Sequence, residues 1–474
     1  MNELQLPLEL LEDYSDRKHE VTAEELERRC EKIRSALTLC DLNPKKITAV
    51  IGPVITTFQV ITDRKMKMSE LKNLASDIEY ALNIKGVTVK TVSGGFDIEI
   101  PNENPSLVPL RDIIGSDEFR NTDYRLPLAI GADVSGKPKI IDLAEAPNIL
   151  VGGSVWQGKT TALASMILSL MYAKSPEDVR FVMIDPTMMG LTLMFANLSD
   201  RYLLDLSGFD EKKAVISDTK IATKILESLC AEMKNRLNDR QGRPDIVVVI
   251  DEYGDFAMQG FKRNEIMTSI IRLAQHGKDA GIHLILSTCR PSVDIVTGLI
   301  KANFPTRIAF RVTNRIDSST IIDAPGAERL IGKGDLLYYA GVKTERMQCT
   351  FVGLDEIGSA TKFIASQTGY RKSYNTPYYL PPVCGTEDGS GNGMVDMQNL
   401  DDKFEEAAKL VVTTQQASTS ALQVRLGIGY ARADKVMKQL EAAGIVGLQK
   451  SSRHPQVLIP DIASLEPILK SFRV

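Results

Sequence analysis

Apolar and polar positions along this 474-residue chain follow several distinct rhythms. The stretch Thr22-Ala-Glu-Glu-Leu-Glu-Arg-Arg-Cys-Glu-Lys-Ile33 places an N-cap before an acidic first turn and a helical apolar repeat. Ile47 to Val60 reads as strand, Gly52-Pro53 turn, strand. Ser69 to Leu82 returns to a helical period. Val87–Val92 and Phe96–Ile100 read as strands on either side of Gly94-Gly95. Residues 1–125 are therefore expected to form a small α+β domain with no chemistry of its own.

From 126 to 383 the pattern changes. Asn148-Ile-Leu-Val-Gly152, Val179-Arg-Phe-Val-Met-Ile-Asp185, Asp245-Ile-Val-Val-Val-Ile-Asp251 and His283-Leu-Ile-Leu-Ser-Thr288 are near-continuous apolar runs separated by helical segments. Such runs suit strands buried on both faces of a parallel sheet. A doubly wound α/β domain is expected, with its ligand beyond the carboxyl ends of the strands. Residues 384–400 carry Gly385, Gly389, Gly391 and Gly393 among polar residues and read as a flexible linker. Residues 401–474 then form a compact module. Its helices are expected over Phe404–Gln416, Thr419–Leu426 and Tyr430–Ala443, followed by a hairpin around Lys450-Ser-Ser-Arg-His-Pro455, in the manner of a winged helix-turn-helix.

Bulk composition narrows the picture. The chain is 43% hydrophobic and 25% charged, ordinary for a globular protein. The net charge of −4 means that any nucleic-acid surface must be local. Residues 420–460 supply one candidate, with Arg425, Arg432, Lys435, Lys438, Lys450 and Arg453 against two acidic residues. A solvated charged face would give the same spacing. The six cysteines and four histidines are scattered, which argues against a zinc site or a disulfide framework and fits a reducing compartment. No apolar run of about 18 residues and no signal-peptide pattern occurs, so a cytoplasmic protein without a membrane segment is expected.

The chemistry concentrates in Gly153-Ser154-Val155-Trp156-Gln157-Gly158-Lys159-Thr160. The pattern follows an expected strand and opens an expected helix, the context of a phosphate-binding loop. Backbone N–H groups over 153–161, Thr161 included, would cradle phosphates. Lys159 would reach the β and γ phosphates, and Thr160 would hold Mg²⁺. Asp251 at a strand end would join the Mg²⁺ shell, and Glu252 would polarise an attacking water. ATP and Mg²⁺ are the expected ligands. Phosphoryl transfer also calls for an arginine; Arg290 and Arg307 stand near strand ends, and spacing leaves each open to being a surface ion pair.

Several longer segments carry a resemblance. Asp245-Ile-Val-Val-Val-Ile-Asp-Glu252, Ala280 through Val312, Ile316-Asp-Ser-Ser-Thr-Ile-Ile-Asp323, Gly326-Ala-Glu-Arg-Leu-Ile-Gly-Lys-Gly-Asp-Leu-Leu-Tyr338 and Ile428 through Val446 resemble the FtsK/SpoIIIE DNA translocases. The resemblance covers nearly the whole chain. It implies an α domain, a RecA-like P-loop β domain and a winged-helix γ domain, without the membrane-anchoring N-terminal region of many members. It further implies a homo-hexameric ring on double-stranded DNA, driven by ATP, in chromosome segregation or DNA transfer. Recombinase or division proteins would be partners, and one of them would recruit the chain to the membrane or septum. Lys159, Thr160, Asp251 and Glu252 become the ATPase residues and Arg307 the trans-acting arginine. Arg432, Lys435, Lys438, Lys450 and Arg453 become the DNA-binding set.

The chain also departs from that family's pattern. Trp156 stands where the loop usually has Gly, Cys289 where Thr288-Cys-Arg-Pro-Ser292 usually has Gln, Thr187 where Asp185-Pro-Thr usually ends in Lys, and Gly190 where a Glu is usual. Nucleotide binding with reduced turnover is expected, and a nucleotide-binding, DNA-binding ring with weak hydrolysis is the alternative. A conjugation or DNA-packaging motor of the same superfamily is a further one. Ala431, Lys435 and Lys438 occupy the base-reading positions, where Ala and Lys cannot make the bidentate or acceptor contacts of Asn and Asp. DNA binding with an altered or relaxed sequence preference is expected.

Overall fold

The computed structural model describes residues 6–17, 21–62, 64, 67–209, 213–239, 242–258, 263–341, 343–367, 378–382, 401–426, 430–443, 445–447, 457–462, 464–465 and 469. The glycine-rich stretch 384–400 and the expected hairpin tip Lys450–Pro455 lie outside them. The chain divides into two compact units, Met1–Val383 and Cys384–Val474. No described helix is long and apolar enough to cross a membrane.

The first unit opens with an α+β fold. Its four strands are β1 (Lys46–Ile51), β2 (Ile55–Ile61), β3 (Thr88–Val92) and β4 (Gly95–Pro101), antiparallel in the order β1-β2-β4-β3. Helices Ala23–Leu39 and Met68–Leu82 cover one face, burying Ile33, Leu37, Leu74 and Ile78 against Phe58 and Ile98. The Thr22 hydroxyl accepts the Glu25 N–H at 3.2 Å, as the sequence anticipated for the first helix. The Gly52-Pro53 turn has a steric reason: a Cβ on Gly52 would lie 2.0 Å from the Val134 carbonyl oxygen of the neighbouring fold.

The rest of the first unit holds β5 (Pro127–Asp133), β6 (Pro138–Asp142), β7 (Asn148–Gly152), β8 (Val179–Ile184), β9 (Leu204–Asp205), β10 (Val215–Ile216), β11 (Asp245–Ile250), β12 (Ile282–Thr288), β13 (Thr306–Phe310), β14 (Asp335–Ala340), β15 (Thr344–Cys349) and β16 (Tyr378–Tyr379). Ten of these form one sheet in the order β10-β8-β11-β12-β7-β13-β14-β15-β5-β6. The strands are parallel from β10 to β13 and antiparallel beyond. The continuous apolar runs now have a cause. Val247 and Val249 face one core while Ile246, Val248 and Ile250 face the other. With helices on both sides, neither face of β11 can be polar. Helix Lys159–Ala173 is buried along most of its length for the same reason.

Residues 6–17 join a different core from that of the α+β fold that follows them. Leu6 and Leu11 enter the core around the ten-stranded sheet. The Glu12 N–H and the Tyr14 hydroxyl donate to the two Glu356 carboxylate oxygens, each at 3.0 Å. The chain returns to the same neighbourhood after β4, where the Leu110 N–H donates to the Phe351 carbonyl at 2.8 Å.

A buried ion cluster closes the contact between the two folds of this unit. Arg346 on β15 donates Nε to Asp335 Oδ1 at 3.0 Å and Nη2 to Asp335 Oδ2 at 2.7 Å. Its Nη1 lies 3.4 Å from Glu99 Oε2 on β4. Burial pushes the Glu99 carboxyl up, but the Lys90 and Arg346 cations outweigh that and hold it below its ordinary value.

The second unit packs helices Phe404–Thr414, Thr419–Leu426 and Tyr430–Ala442 around Val411, Leu422, Val436, Leu440 and Ile445. An antiparallel bridge joins Val446 to Val457, at the base of the expected hairpin. Val436 and Leu440, four apart, lie on the helix face that enters this core.

Arg346→Ala removes one partner from a buried ion cluster and is expected to destabilise the first unit by about 3–5 kcal/mol. Arg346→Lys should not rescue it, because an ammonium cannot make the bidentate contact. Denaturant titration followed by far-UV circular dichroism reads the loss. An unchanged midpoint for both variants would contradict this role.

Candidate nucleotide-binding site

The loop 153–158 leaves the carboxyl end of β7 and enters the helix that starts at Lys159. Lys159 is 5% exposed, and its ammonium donates to the Ser154 carbonyl at 2.9 Å. The same Nζ lies 4.0 Å from Glu252 Oε1. Glu252 follows β11 with a left-handed φ of 52°, which turns its carboxylate back over the strand ends. Its Oε2 accepts the Cys289 N–H at 2.9 Å, at the end of β12. Burial, then the hydrogen bond and charge of Glu252, push the Cys289 thiol up to about 11, so it stays neutral.

Asp251 is 1% exposed, and its Oδ1 accepts the Glu252 N–H at 3.1 Å. Burial pushes its carboxyl up to about 6, and the nearby Glu252 and Asp185 charges add to that while Lys159 opposes it. Gly190 fits because it has no side chain. A Cβ there would lie 2.1 Å from Asp251 Oδ2 and 3.4 Å from Thr160 Cγ2. That pair of distances also brings Thr160 and Asp251 to one point. Asp185, fully buried at the end of β8, organises the adjoining turn. Its Oδ1 accepts from Thr187 N, Thr187 Oγ1 and Met188 N, and its Oδ2 from Gly190 N and Thr192 N.

A hydroxyl, a buried carboxylate with a raised pKa and two further acids around one lysine form an oxygen donor set with excess negative charge. That set fits a hard divalent cation held together with a phosphate. Thr160 and Asp251 are the residues that could hold it. Thr161 is half-buried in the first turn of the helix.

Trp156 adopts the left-handed conformation, with φ 63°, and its side chain is 90% exposed beside the exposed Val155. The loop thus accommodates the residue by turning the ring out to solvent. A non-glycine residue in this region costs about 1–2 kcal/mol.

Arg307 is not brought to this site. It lies near the start of β13, paired in register with Leu150, and is 7% exposed. Its guanidinium ion-pairs with Asp323 and donates to the carbonyls of Phe304 at 2.9 Å and Lys301 at 3.0 Å. It also lies over the Tyr339 ring, 5.4 Å from the centroid. These contacts hold the guanidinium at its own strand end; the trans-acting role expected of it concerns the site of a neighbouring subunit. Arg290 is exposed beside Asp255, at 3.6 Å. What spacing alone could not show is the wall formed by Arg311 and the Ile331–Asp335 turn, which abuts the loop from more than 150 positions away in sequence.

In the second unit, Arg432 is held by acids of its own chain. Its Nε donates to both Asp401 oxygens at 3.1 Å, and Nη2 pairs with Asp401 and Asp402. Lys435 and Lys438 lie on helix Tyr430–Ala442, but their side chains, with Ala431, Lys450 and Arg453, lie outside the described residues.

Comparison with known proteins agrees with this architecture. The FtsK alpha domain model matches residues 6–102, the FtsK/SpoIIIE family model residues 109–241 and 237–293, and the FtsK gamma domain model residues 398–460. The DNA translocase FtsK of Chlorobaculum tepidum is 34% identical across 99% of this chain and 60% of its own length. That of Haemophilus influenzae is 33% identical across 94% of this chain and 90% of its own length. That of Agrobacterium fabrum is 35% identical across 87% of this chain, which spans 51% of that relative. Among solved structures, the pCW3 conjugation coupling protein TcpA matches 71% of this chain and 99% of its own, at 20% identity and a TM-score of 0.47. From the first domain to the last, the chain belongs to the FtsK/SpoIIIE family.

Proposed function

We propose that this chain is the motor portion of an ATP-dependent double-stranded DNA translocase, working as a homo-hexameric ring. The observation that carries the reading is the convergence of Lys159, Thr160, Asp251 and Glu252 at the strand ends under the phosphate loop. The naming of its relatives as DNA translocases supports the choice of duplex DNA. Loop N–H groups and Lys159 hold the phosphate chain. Mg²⁺, when bound through Thr160 and Asp251, neutralises charge on the phosphates. Glu252 takes the proton of the attacking water. Its Oε2 is fixed by the Cys289 N–H, which leaves Oε1, on the Lys159 side, to face that water. The winged-helix unit contacts DNA phosphates through the Lys435 and Lys438 face. We place the limits of the RecA-like and winged-helix domains at 126–383 and 401–474; residues 6–17, within the expected 1–125 domain, pack instead on the large sheet.

A second reading, nucleotide and DNA binding with slow hydrolysis, is favoured by one observation. Cys289 meets Glu252 through its backbone N–H and its thiol, and that neutral thiol is a weak partner for a phosphate oxygen.

Phosphate release with and without a long duplex separates the two. Lys159→Ala should abolish release, and Glu252→Gln should bind nucleotide but turn over about 100-fold or more slower. A parent chain that duplex DNA does not stimulate above the Lys159→Ala background would sink the motor reading.

The raised Asp251 pKa makes a separate prediction. A buried acid whose folded value lies above its unfolded one destabilises the fold when ionised. That penalty is absent below about pH 4 and complete above about pH 6. In cation-free buffer, Asp251→Asn should melt above the parent at pH 7.5, with the gap closing toward pH 4. A gap that is constant with pH would refute the assignment.

For the second unit, Lys435→Ala should weaken duplex binding alike for all sequences and lower the salt slope by about one. Arg432→Ala should instead lower the melting temperature of the unit, because its acids are left without their cation. Equal salt slopes for parent and Lys435→Ala would exclude Lys435 as a phosphate contact.

A further inference from the structure

The phosphate loop has two walls. On one side, Lys159 faces Glu252 and the strand-end acids. On the other, Gln157 and Gly158 press against the turn between Ile331 and Asp335. The Gly334 N–H donates to the Gln157 carbonyl at 3.0 Å. A Cβ on Gly158 would lie 3.2 Å from Gly334 Cα, and one on Gly332 would lie 2.3 Å from Gln157 Oε1.

Arg311 stands in this second wall. It is the first residue beyond β13, and its carbonyl accepts the Ser154 N–H at 2.8 Å, which couples its backbone to the loop. Its side chain runs along the turn: Cδ would lie 3.6 Å from a Cβ on Gly332, and Nη1 donates to the Ile331 carbonyl at 3.2 Å. Among the described residues, that carbonyl is its one hydrogen-bond partner and no carboxylate neutralises it. Other arginines of the same unit differ. Arg307 pairs with Asp323, Arg346 with Asp335 and Glu99, and Arg236 with Glu232. A guanidinium has five N–H donors and a fork that matches phosphate oxygens. An exposed one, held by a single carbonyl beside a loop whose N–H groups cradle an anion, keeps most of that capacity for the anion.

We infer that Arg311 binds the phosphate chain of the nucleotide from within the same subunit, on the side of the cradle opposite Asp251 and Glu252. The inference rests on the loop being the nucleotide site. It makes Arg311 a binding residue for diphosphate and triphosphate alike, since it lies away from the strand-end acids where the terminal phosphate is hydrolysed. It also supplies positive charge to a site in which acids are in excess.

Trp156 provides the readout. It is the single tryptophan of the chain and sits exposed in the loop itself. The full chain is titrated with Mg-ADP and with a non-hydrolysable triphosphate, by Trp156 emission and by calorimetry. Arg311→Ala is expected to weaken both ligands about 10-fold, the loss of one charge-assisted hydrogen-bonding group. Arg311→Lys should recover part of it. Arg311→Gln, which keeps a donor for the Ile331 carbonyl, should remain as weak as Arg311→Ala, so that disturbance of the turn is separated from loss of charge. Lys159→Ala marks the nucleotide site itself. Binding that is lost in Lys159→Ala but unchanged in Arg311→Ala would overturn this inference and leave the nucleotide site standing. No binding by the parent chain would overturn both.

Discussion

The pairing of Arg346 with Asp335 is the contact on which the rest of the first unit is arranged. Two charges this deeply buried are tolerable only when each is matched, and here the geometry is bidentate, with Glu99 as a third member. The cluster joins three things that sequence separates widely. Glu99 brings in the α+β fold. Arg346 belongs to the antiparallel extension of the large sheet. Asp335 also accepts the Ile331 N–H at 2.8 Å and so fixes the turn that abuts the phosphate loop. A path of hydrogen bonds therefore runs from β4 through Arg346 to Asp335, and its covalent neighbour Gly334 carries it on to the Gln157 carbonyl. Whatever shifts the α+β fold against the sheet is felt at the wall of the nucleotide cradle.

The elements were legible in the sequence wherever their cause is local. The parallel strands announce themselves because burial on both faces demands an unbroken apolar run, as in Ile246–Ile250. The phosphate loop is legible because its chemistry is contiguous: cradle, lysine and hydroxyl lie within eight residues. Asp251 and Glu252 are legible because a strand end is itself a local signal. What spacing cannot carry is the identity of a distant partner. Arg307 and Arg432 both look like free cations in sequence, and both meet acids that come from other segments, Asp323 and the Asp401-Asp402 pair. Arg311 is the reverse case, unremarked among its neighbours until the Ile331–Gly334 turn is seen beside it. Gly52 and Gly190 belong with it, since each is required by an atom far along the chain, the Val134 carbonyl and the Asp251 carboxylate.

The nucleotide site concentrates what a stable fold would avoid. Asp251 is buried among like charges, Glu252 and Trp156 take left-handed backbone conformations, and an aromatic ring is left in solvent. The surrounding structure holds this strain in place through Asp185, whose five accepted hydrogen bonds fix the turn carrying Gly190. On the proposed reading, a bound polyanion with its counter-cation would relieve much of that cost and so stabilise the fold.

The seating of residues 6–17 makes the α+β fold an excursion from the large sheet. Leu6 and Leu11 lie in the core of the large sheet and Glu12 and Tyr14 are fastened to Glu356, while the chain rejoins that core at Leu110. The α+β fold is thus inserted between two segments seated on the large sheet, and the Arg346–Glu99 pair ties it back to that sheet a third time.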